Sequence, residues 1–292
     1  LPLSSGRVVT DLMYKHWDEW VEQAPQPFLA DLQCDYKNEM DLRSATISKA
    51  VNILEGTPYE SPMRPHGGVE QWAWANDEKT FSYTCRKKKG LDYAVSTNSD
   101  IYLYDLASAT HTNLTEGNMG YDQQPAYSPD GKHIAWLSME RDGYESDENR
   151  LMVQDLETGE RTFVSQSLNS TVDAFYWRDN EHLVFSSVWH GTERLYLTDI
   201  AGQNRQQLTE GQYDFEPVWT PADASANGDE YYCLRHSMCE ANEIYRFQRH
   251  DSTYAIVQLT HENENIYSQI EMGTVEPRWQ ETTDGQQMLT WV

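Results

Sequence analysis

Ile101-Tyr102-Leu103-Tyr104-Asp105-Leu106, answered about ten residues later by Leu114-Thr115-Glu116-Gly117, is the stretch that decides the fold. An apolar, ring-rich run of alternating residues ending in Asp reads as a β-strand closing on a turn. It returns as Leu151-Met152-Val153-Gln154-Asp155-Leu156 and as Leu195-Tyr196-Leu197-Thr198-Asp199-Ile200, and more loosely as Ile244-Tyr245-Arg246-Phe247, in steps of 50, 44 and 49 residues. The second signature returns with it, as Leu208-Thr209-Glu210-Gly211, as the weaker Leu259-Thr260-His261-Glu262, and at Val164-Ser165. A third signature precedes each strand: an aromatic, a turn, then an apolar run. Tyr127-Ser128-Pro129-Asp130-Gly131-Lys132 leads into Ile134-Ala135-Trp136, Trp74-Ala75-Asn76-Asp77 into Phe81-Ser82-Tyr83, Trp177-Arg178-Asp179-Asn180 into Leu183-Val184-Phe185, and Trp219-Thr220-Pro221 into Tyr231-Tyr232-Cys233. Pro presets φ, Asp supplies an acceptor and Gly accepts a positive φ, so the chain reverses at such sites.

Each period therefore holds four antiparallel strands, a to d. One such sheet cannot bury both its faces, and stacking of successive sheets solves this. The expectation is an all-β chain, a β-propeller of four-stranded WD40-like blades. Complete blades fall at about 57–117, 118–168, 169–211 and 212–262. A partial blade at about 25–56 has Phe28-Leu29-Ala30-Asp31-Leu32 as strand c and Val51-Asn52-Ile53-Leu54-Glu55-Gly56 as strand d. The propeller then covers residues 1–275. Ahead of it Val9, Met13, Trp17 and Val21 recur at helical spacing, which predicts a short N-terminal helix over residues 10–22. After residue 275 the period breaks: Trp279, Thr283-Asp284-Gly285 and Met288-Leu289-Thr290-Trp291-Val292 give a strand and a turn.

Composition narrows function. Over 292 residues, 22 Lys and Arg face 47 Asp and Glu, a formal charge of −25. A nucleic-acid binder needs a cationic face to displace phosphate counterions, and an anionic membrane repels this chain. A cationic ligand such as a protonated amine remains compatible. No apolar run approaches the roughly 20 residues of a membrane helix. Ten Trp, 18 Tyr and 7 Phe supply the bulk of a core that aliphatic residues alone would leave thin. Cys34, Cys85, Cys233 and Cys239 form no CxxC pair, so neither zinc nor any other metal or cofactor is expected. A disulfide between Cys233 and Cys239 stays open.

Trp17-Asp18-Glu19-Trp20, Ser96-Thr97-Asn98-Ser99-Asp100-Ile101-Tyr102 and, most specifically, Ser138-Met139-Glu140-Arg141-Asp142-Gly143-Tyr144-Glu145-Ser146-Asp147 resemble the dipeptidyl aminopeptidase/acylaminoacyl-peptidase branch of the prolyl oligopeptidase family. The resemblance covers essentially the whole chain. It implies the substrate-gating N-terminal propeller of a serine exopeptidase that releases dipeptides or acyl-amino acids from peptide N-termini. It also implies a peptide substrate, an α/β-hydrolase domain of the same parent chain as partner, and a periplasmic or secreted location. Residues 276–292 resemble the start of that hydrolase domain. The departure is large: no Gly-x-Ser-x-Gly elbow occurs. No catalytic residue is assigned, and the chain by itself is expected to be inactive.

In aminopeptidase members, acidic groups on the propeller side hold the substrate's free amine. Two connections between strands b and c are long enough to reach a ligand: Cys85 to Ser99, with the basic run Arg86-Lys87-Lys88-Lys89, and Glu140 to Asn149. The basic run reads as a solvated hairpin tip. In the second connection Glu140 or Glu145 is the candidate amine anchor and Arg141 the candidate for orienting a substrate carbonyl. A solvated acidic loop with Arg141 in local ion pairs is the alternative. At the level of function, a freestanding WD40-like interaction propeller and a carbohydrate-binding propeller also stay open. Asn113-Leu114-Thr115 matches a glycosylation triplet but lies inside the repeat, where a strand role fits better.

Overall fold

The structure, a computed structural model, describes residues 5–10, 15–16, 19–21, 23–33, 45–64, 66–218, 230–250 and 253–292. The chain divides into two compact units: residues 1–127 with 136–147, and residues 128–135 with 148–292.

In the first unit, β1 (Lys15–His16) pairs antiparallel with β2 (Glu19–Trp20). The helix expected over residues 10–22 is therefore corrected: the described residues there are extended. Apolar spacing over one short, charged segment fixes no helix, because nucleating its first turn is costly without a packing partner. β3 (Phe28–Leu29) pairs with β6 (Val51–Asn52), joining the two halves of the partial blade, and β4 (Leu32–Gln33) pairs with β5 (Thr46–Ile47). Cys34 lies outside the described residues.

A four-stranded antiparallel sheet follows, from β7 (Trp72–Trp74), β8 (Thr80–Cys85), β9 (Asp100–Asp105) and β10 (Thr110–Asn113). A short helix, α1 (Gly90–Val95), interrupts the connection from β8 to β9. Phe81, Tyr83, Cys85, Tyr102 and Tyr104 bury their side chains together with Ile53 and Leu54. The rings of Tyr83 and Tyr102 stack at 5.5 Å. β11 (Asp122–Tyr127) packs on this sheet. β12 (His133–Ser138) then leads into the acidic connection.

In the second unit β13 (Arg150–Asp155) pairs with β14 (Arg161–Phe163). Two further four-stranded antiparallel sheets are complete. One is β15 (Ala174–Trp177), β16 (His182–Trp189), β17 (Thr192–Asp199) and β18 (Gln206–Gln207). The other is β19 (Asp214–Val218), β20 (Glu230–Ser237), β21 (Glu240–His250) and β22 (Thr253–Gln258). The turn expected at Trp219-Thr220-Pro221 lies outside the described residues. These two sheets pack face to face, burying Tyr176, Val184, Leu195 and Leu197 of one against Phe215, Tyr231, Cys233, Tyr245 and Phe247 of the other. Tyr231 and Phe247 stack at 4.9 Å. Such rings remove a large apolar area from water when two blades pack. After a single helical turn, α2 (Glu264–Tyr267), β23 (Pro277–Glu281) and β24 (Gln287–Trp291) form a terminal hairpin. The fold is that of a β-propeller.

The repeated signatures have a common physical basis. The Asp that closes strand c caps the following turn. Asp105 accepts from the Ser108 N–H at 2.7 Å, Asp155 from Thr158 at 2.7 Å and Asp199 from Gln203 at 2.9 Å. These hydrogen bonds, foremost the Ser108 hydroxyl for Asp105 and the Thr158 N–H for Asp155, hold both carboxyls below their ordinary range. The hydroxyl of the Leu-Thr signature accepts an N–H of strand c: Ile101 to Thr115 at 3.1 Å, Leu151 to Ser165 at 3.0 Å, Leu195 to Thr209 at 2.9 Å and Ile244 to Thr260 at 2.8 Å. Strand d ends there, and the side chain replaces the missing carbonyl of the ladder. Asn113 is likewise structural, its Oδ1 accepting from the Thr115 N–H at 3.1 Å. Cys233 and Cys239 are not bonded to each other in the structure, where Cys233 is buried in the strand and Cys239 lies in the turn after it.

Candidate substrate-recognition site

The acidic connection begins where β12 ends. Asp122, 1% exposed, sits beneath it and accepts from Trp136 Nε1 and Asn118 Nδ2, both at 2.9 Å. Asn118 Nδ2 also reaches the carbonyl of Met139 at 3.0 Å, tying the loop base to this carboxylate. Burial pushes the Asp122 carboxyl up to about 6, against the pull of its hydrogen bonds from Asn118, Ser138 and Trp136. Gly120 lies directly against the loop base. A β-carbon there would stand 2.4 Å from the Met139 carbonyl oxygen.

Above this base the loop is held at two carboxylates. Asp147 Oδ2 accepts from the backbone N–H of Glu140 at 3.2 Å and of Arg141 at 2.9 Å. The Arg141 guanidinium closes on the same carboxylate, Nη2 to Oδ1 at 2.9 Å, and lies 4.0 Å from the centroid of the Tyr144 ring. The Asp147 hydrogen bond raises the Arg141 pKa. Asp142 turns the other way. Its Oδ1 accepts from Ser96 Oγ at 2.7 Å, Thr97 N–H at 2.8 Å and Asn98 N–H at 3.2 Å. Gly143 returns a hydrogen bond from its N–H to Thr97 Oγ1 at 2.9 Å. Partial burial works against ionisation of Asp142, but these donors outweigh it and hold the carboxyl below its ordinary value.

Of the candidate residues, Glu140 and Glu145 are exposed on this loop, and Arg141 is 62% exposed although its guanidinium is engaged by Asp147. The structure thus brings Glu140 and Arg141 together through Asp147. Glu145 lies on the same loop just before that carboxylate.

The basic run behaves differently from expectation. Arg86 is half-buried, its guanidinium 4.7 Å from the Tyr93 ring centroid and 5.4 Å from that of Tyr121, and it donates to the Tyr121 hydroxyl at 3.1 Å. Lys87 Nζ lies 3.5 Å from the Tyr102 ring centroid. The solvated-tip reading fails at these two residues, because flanking rings offer their faces to cations. Tyr93 in turn donates to Glu60, which is 5% exposed and also pairs with Arg64 at 3.3 Å. Sequence reasoning missed Asp142, Asp147, Asp122 and Glu60. Asp142 and Asp147 stood in the acidic connection without a role, Asp122 and Glu60 were marked by acidity alone, and their partners stand up to 46 residues away. Among the described residues no group of three His, Cys, Asp or Glu side chains is arranged to hold a metal, and no helix is long and apolar enough to cross a membrane.

No family model matches the chain. Among solved structures, the acylaminoacyl peptidase of Pyrococcus horikoshii aligns with a TM-score of 0.54 at 18% identity, over 75% of this chain and 31% of that one. What the two share is the fold, and the class of protein is thereby a β-propeller. Along the sequence the likeness is far closer. Dipeptidyl-peptidase 5 of Porphyromonas gingivalis is 43% identical over 293 aligned residues, covering 100% of this chain and 40% of that protein. The Porphyromonas endodontalis protein of the same name is 41% identical, over 99% of this chain and 39% of its own length. From end to end, the chain is thus related to a part of proteins named dipeptidyl-peptidase 5. It spans about 40% of the length of the relatives it matches.

Proposed function

We propose that this chain is the substrate-gating propeller of a serine exopeptidase that removes dipeptides from peptide N-termini, with the catalytic Ser, Asp and His supplied by an α/β-hydrolase domain of the same parent chain. The observation that carries the reading is the 43% identity along the entire chain with a protein named dipeptidyl-peptidase 5. The terminal hairpin from Pro277 is then the passage toward that domain. The acidic connection supplies the amine contact: Glu140 or Glu145 receives the substrate ammonium, and the exposed edge of the Arg141 guanidinium orients a substrate carbonyl. A charge-assisted contact of this kind stabilises the bound state by about 1.5–3 kcal/mol. The test uses the full-length protein, a fluorogenic dipeptidyl substrate and the variants Glu140→Ala and Glu145→Ala. At least one is expected to lower kcat/KM by about tenfold or more, the equivalent of about 1.4 kcal/mol. Unchanged kcat/KM in both removes the amine-anchor reading. Absence of dipeptidyl release by the full-length protein removes the peptidase reading itself.

A further inference from the structure

We infer that Asp142 is a positioning residue for substrate recognition: it fastens the acidic connection to the Ser96–Asn98 segment, so that the two long connections of successive blades act as one recognition element. The inference rests on the amine-anchor reading of Glu140 and Glu145 and adds to it what holds them in place.

The geometry is specific. One oxygen of Asp142 gathers three donors from three consecutive residues, Ser96, Thr97 and Asn98, and Gly143 answers with its own N–H to the Thr97 hydroxyl. These four hydrogen bonds cross between the two connections at Asp142 and Gly143, in the stretch between Glu140 and Glu145. An exposed loop has no need of such a staple to remain folded, since water satisfies its polar groups. Gathering two backbone N–H groups and a hydroxyl on one carboxylate instead fixes where the loop stands. The fastening point is itself packed and tied down. Ser96 and Thr97 are buried at 6% exposure, and α1 just before them is tied down through Tyr93 to Glu60 and through Arg86 to Tyr121. On the other side, Gly143 adopts φ +71°, which aims its N–H at Thr97. A carboxylate that must meet a substrate ammonium gains from this, because a contact held in place costs less ordering when the substrate binds.

The experiment compares Asp142→Ala, Asp142→Asn, Glu140→Ala and Glu145→Ala in the full-length protein, with a free-amine dipeptidyl substrate and its N-methylated analogue. Amide hydrogen exchange of residues 96–98 and 140–147 is followed in the same samples. Asp142→Ala is expected to speed exchange at both segments, to raise KM for the free-amine substrate by about fivefold and to leave kcat within twofold. Asp142→Asn keeps an oxygen acceptor at the same place and is expected to restore most of the KM. Faster exchange with unchanged KM, while Glu140→Ala or Glu145→Ala raises it, overturns the positioning role. A kcat loss in Asp142→Ala equal to its KM change overturns it as well, because that marks a general loss of structure. If Glu140→Ala and Glu145→Ala leave KM unchanged while Asp142→Ala raises it, positioning stands and the anchor is another group on the loop. If none of the three raises KM, both readings fall.

Discussion

Asp122 shows how much one side chain can carry. It is buried under the acidic connection, and the same carboxylate receives Trp136 and Asn118. Burial lifts its pKa from the ordinary 3.8 to about 6. The folded form therefore holds this proton more tightly than the unfolded chain does. The contribution is most favourable below about pH 4, where both states are protonated. It is lost as pH rises through about 6 and is flat above that. The span amounts to about 2–3 kcal/mol. Asp173 and Glu193 are also pushed upward by burial, so the difference between variants isolates the residue. The urea midpoint of the wild-type chain, minus that of Asp122→Asn, is expected to fall between pH 4 and pH 7. A constant difference across that range would contradict the assignment. At this scale the sequence was legible only in part. Glu140, Arg141 and Glu145 stood out by charge density in a long connection, whereas Asp122 and Asp142 look like any other acid until their partners are known.

At the scale of the element, the Leu-Thr signature is a device for ending strand d. Thr209, 2% exposed, accepts the Leu195 N–H, and Thr115 does the same for Ile101. Thr209→Val preserves shape and removes the acceptor. It leaves a buried N–H without a partner, at a cost of about 1–3 kcal/mol. Thermal unfolding should show Tm lowered by several degrees, while Thr209→Ser retains most of the stability. Equal losses in both variants would assign the effect to packing instead. Repetition exposed this element in the sequence, because the same bond recurs in four places. The N-terminal segment had no such repetition. A single apolar spacing over residues 10–22 pointed to a helix, and Lys15–His16 pairs with Glu19–Trp20 instead.

The molecule as a whole carries a formal charge of −25. Such a field concentrates cations near the surface, and added salt screens it within about 10 Å at 0.1 M. Under the proposed function, kcat/KM of the full-length protein for a free-amine substrate should fall severalfold between 20 mM and 500 mM NaCl, chiefly through KM. A neutral N-acylated peptide tested for binding should show little change. Parallel salt curves for the two would remove the electrostatic contribution to recognition.

The sequence by itself determined the blades. Strands, turn chemistry and the hydroxyl and carboxylate stops are local, they recur every 44–50 residues, and each copy corroborates the others. Only the tertiary structure decided how the long connections are held. Asp142 meets Ser96 across 46 residues of chain, Arg86 meets Tyr121 across 35 and Tyr93 meets Glu60 across 33. No repeat and no periodicity records such pairs. They arise because stacked blades bring unrelated loops together, and a buried or half-buried charge must find its partner wherever the fold has placed one.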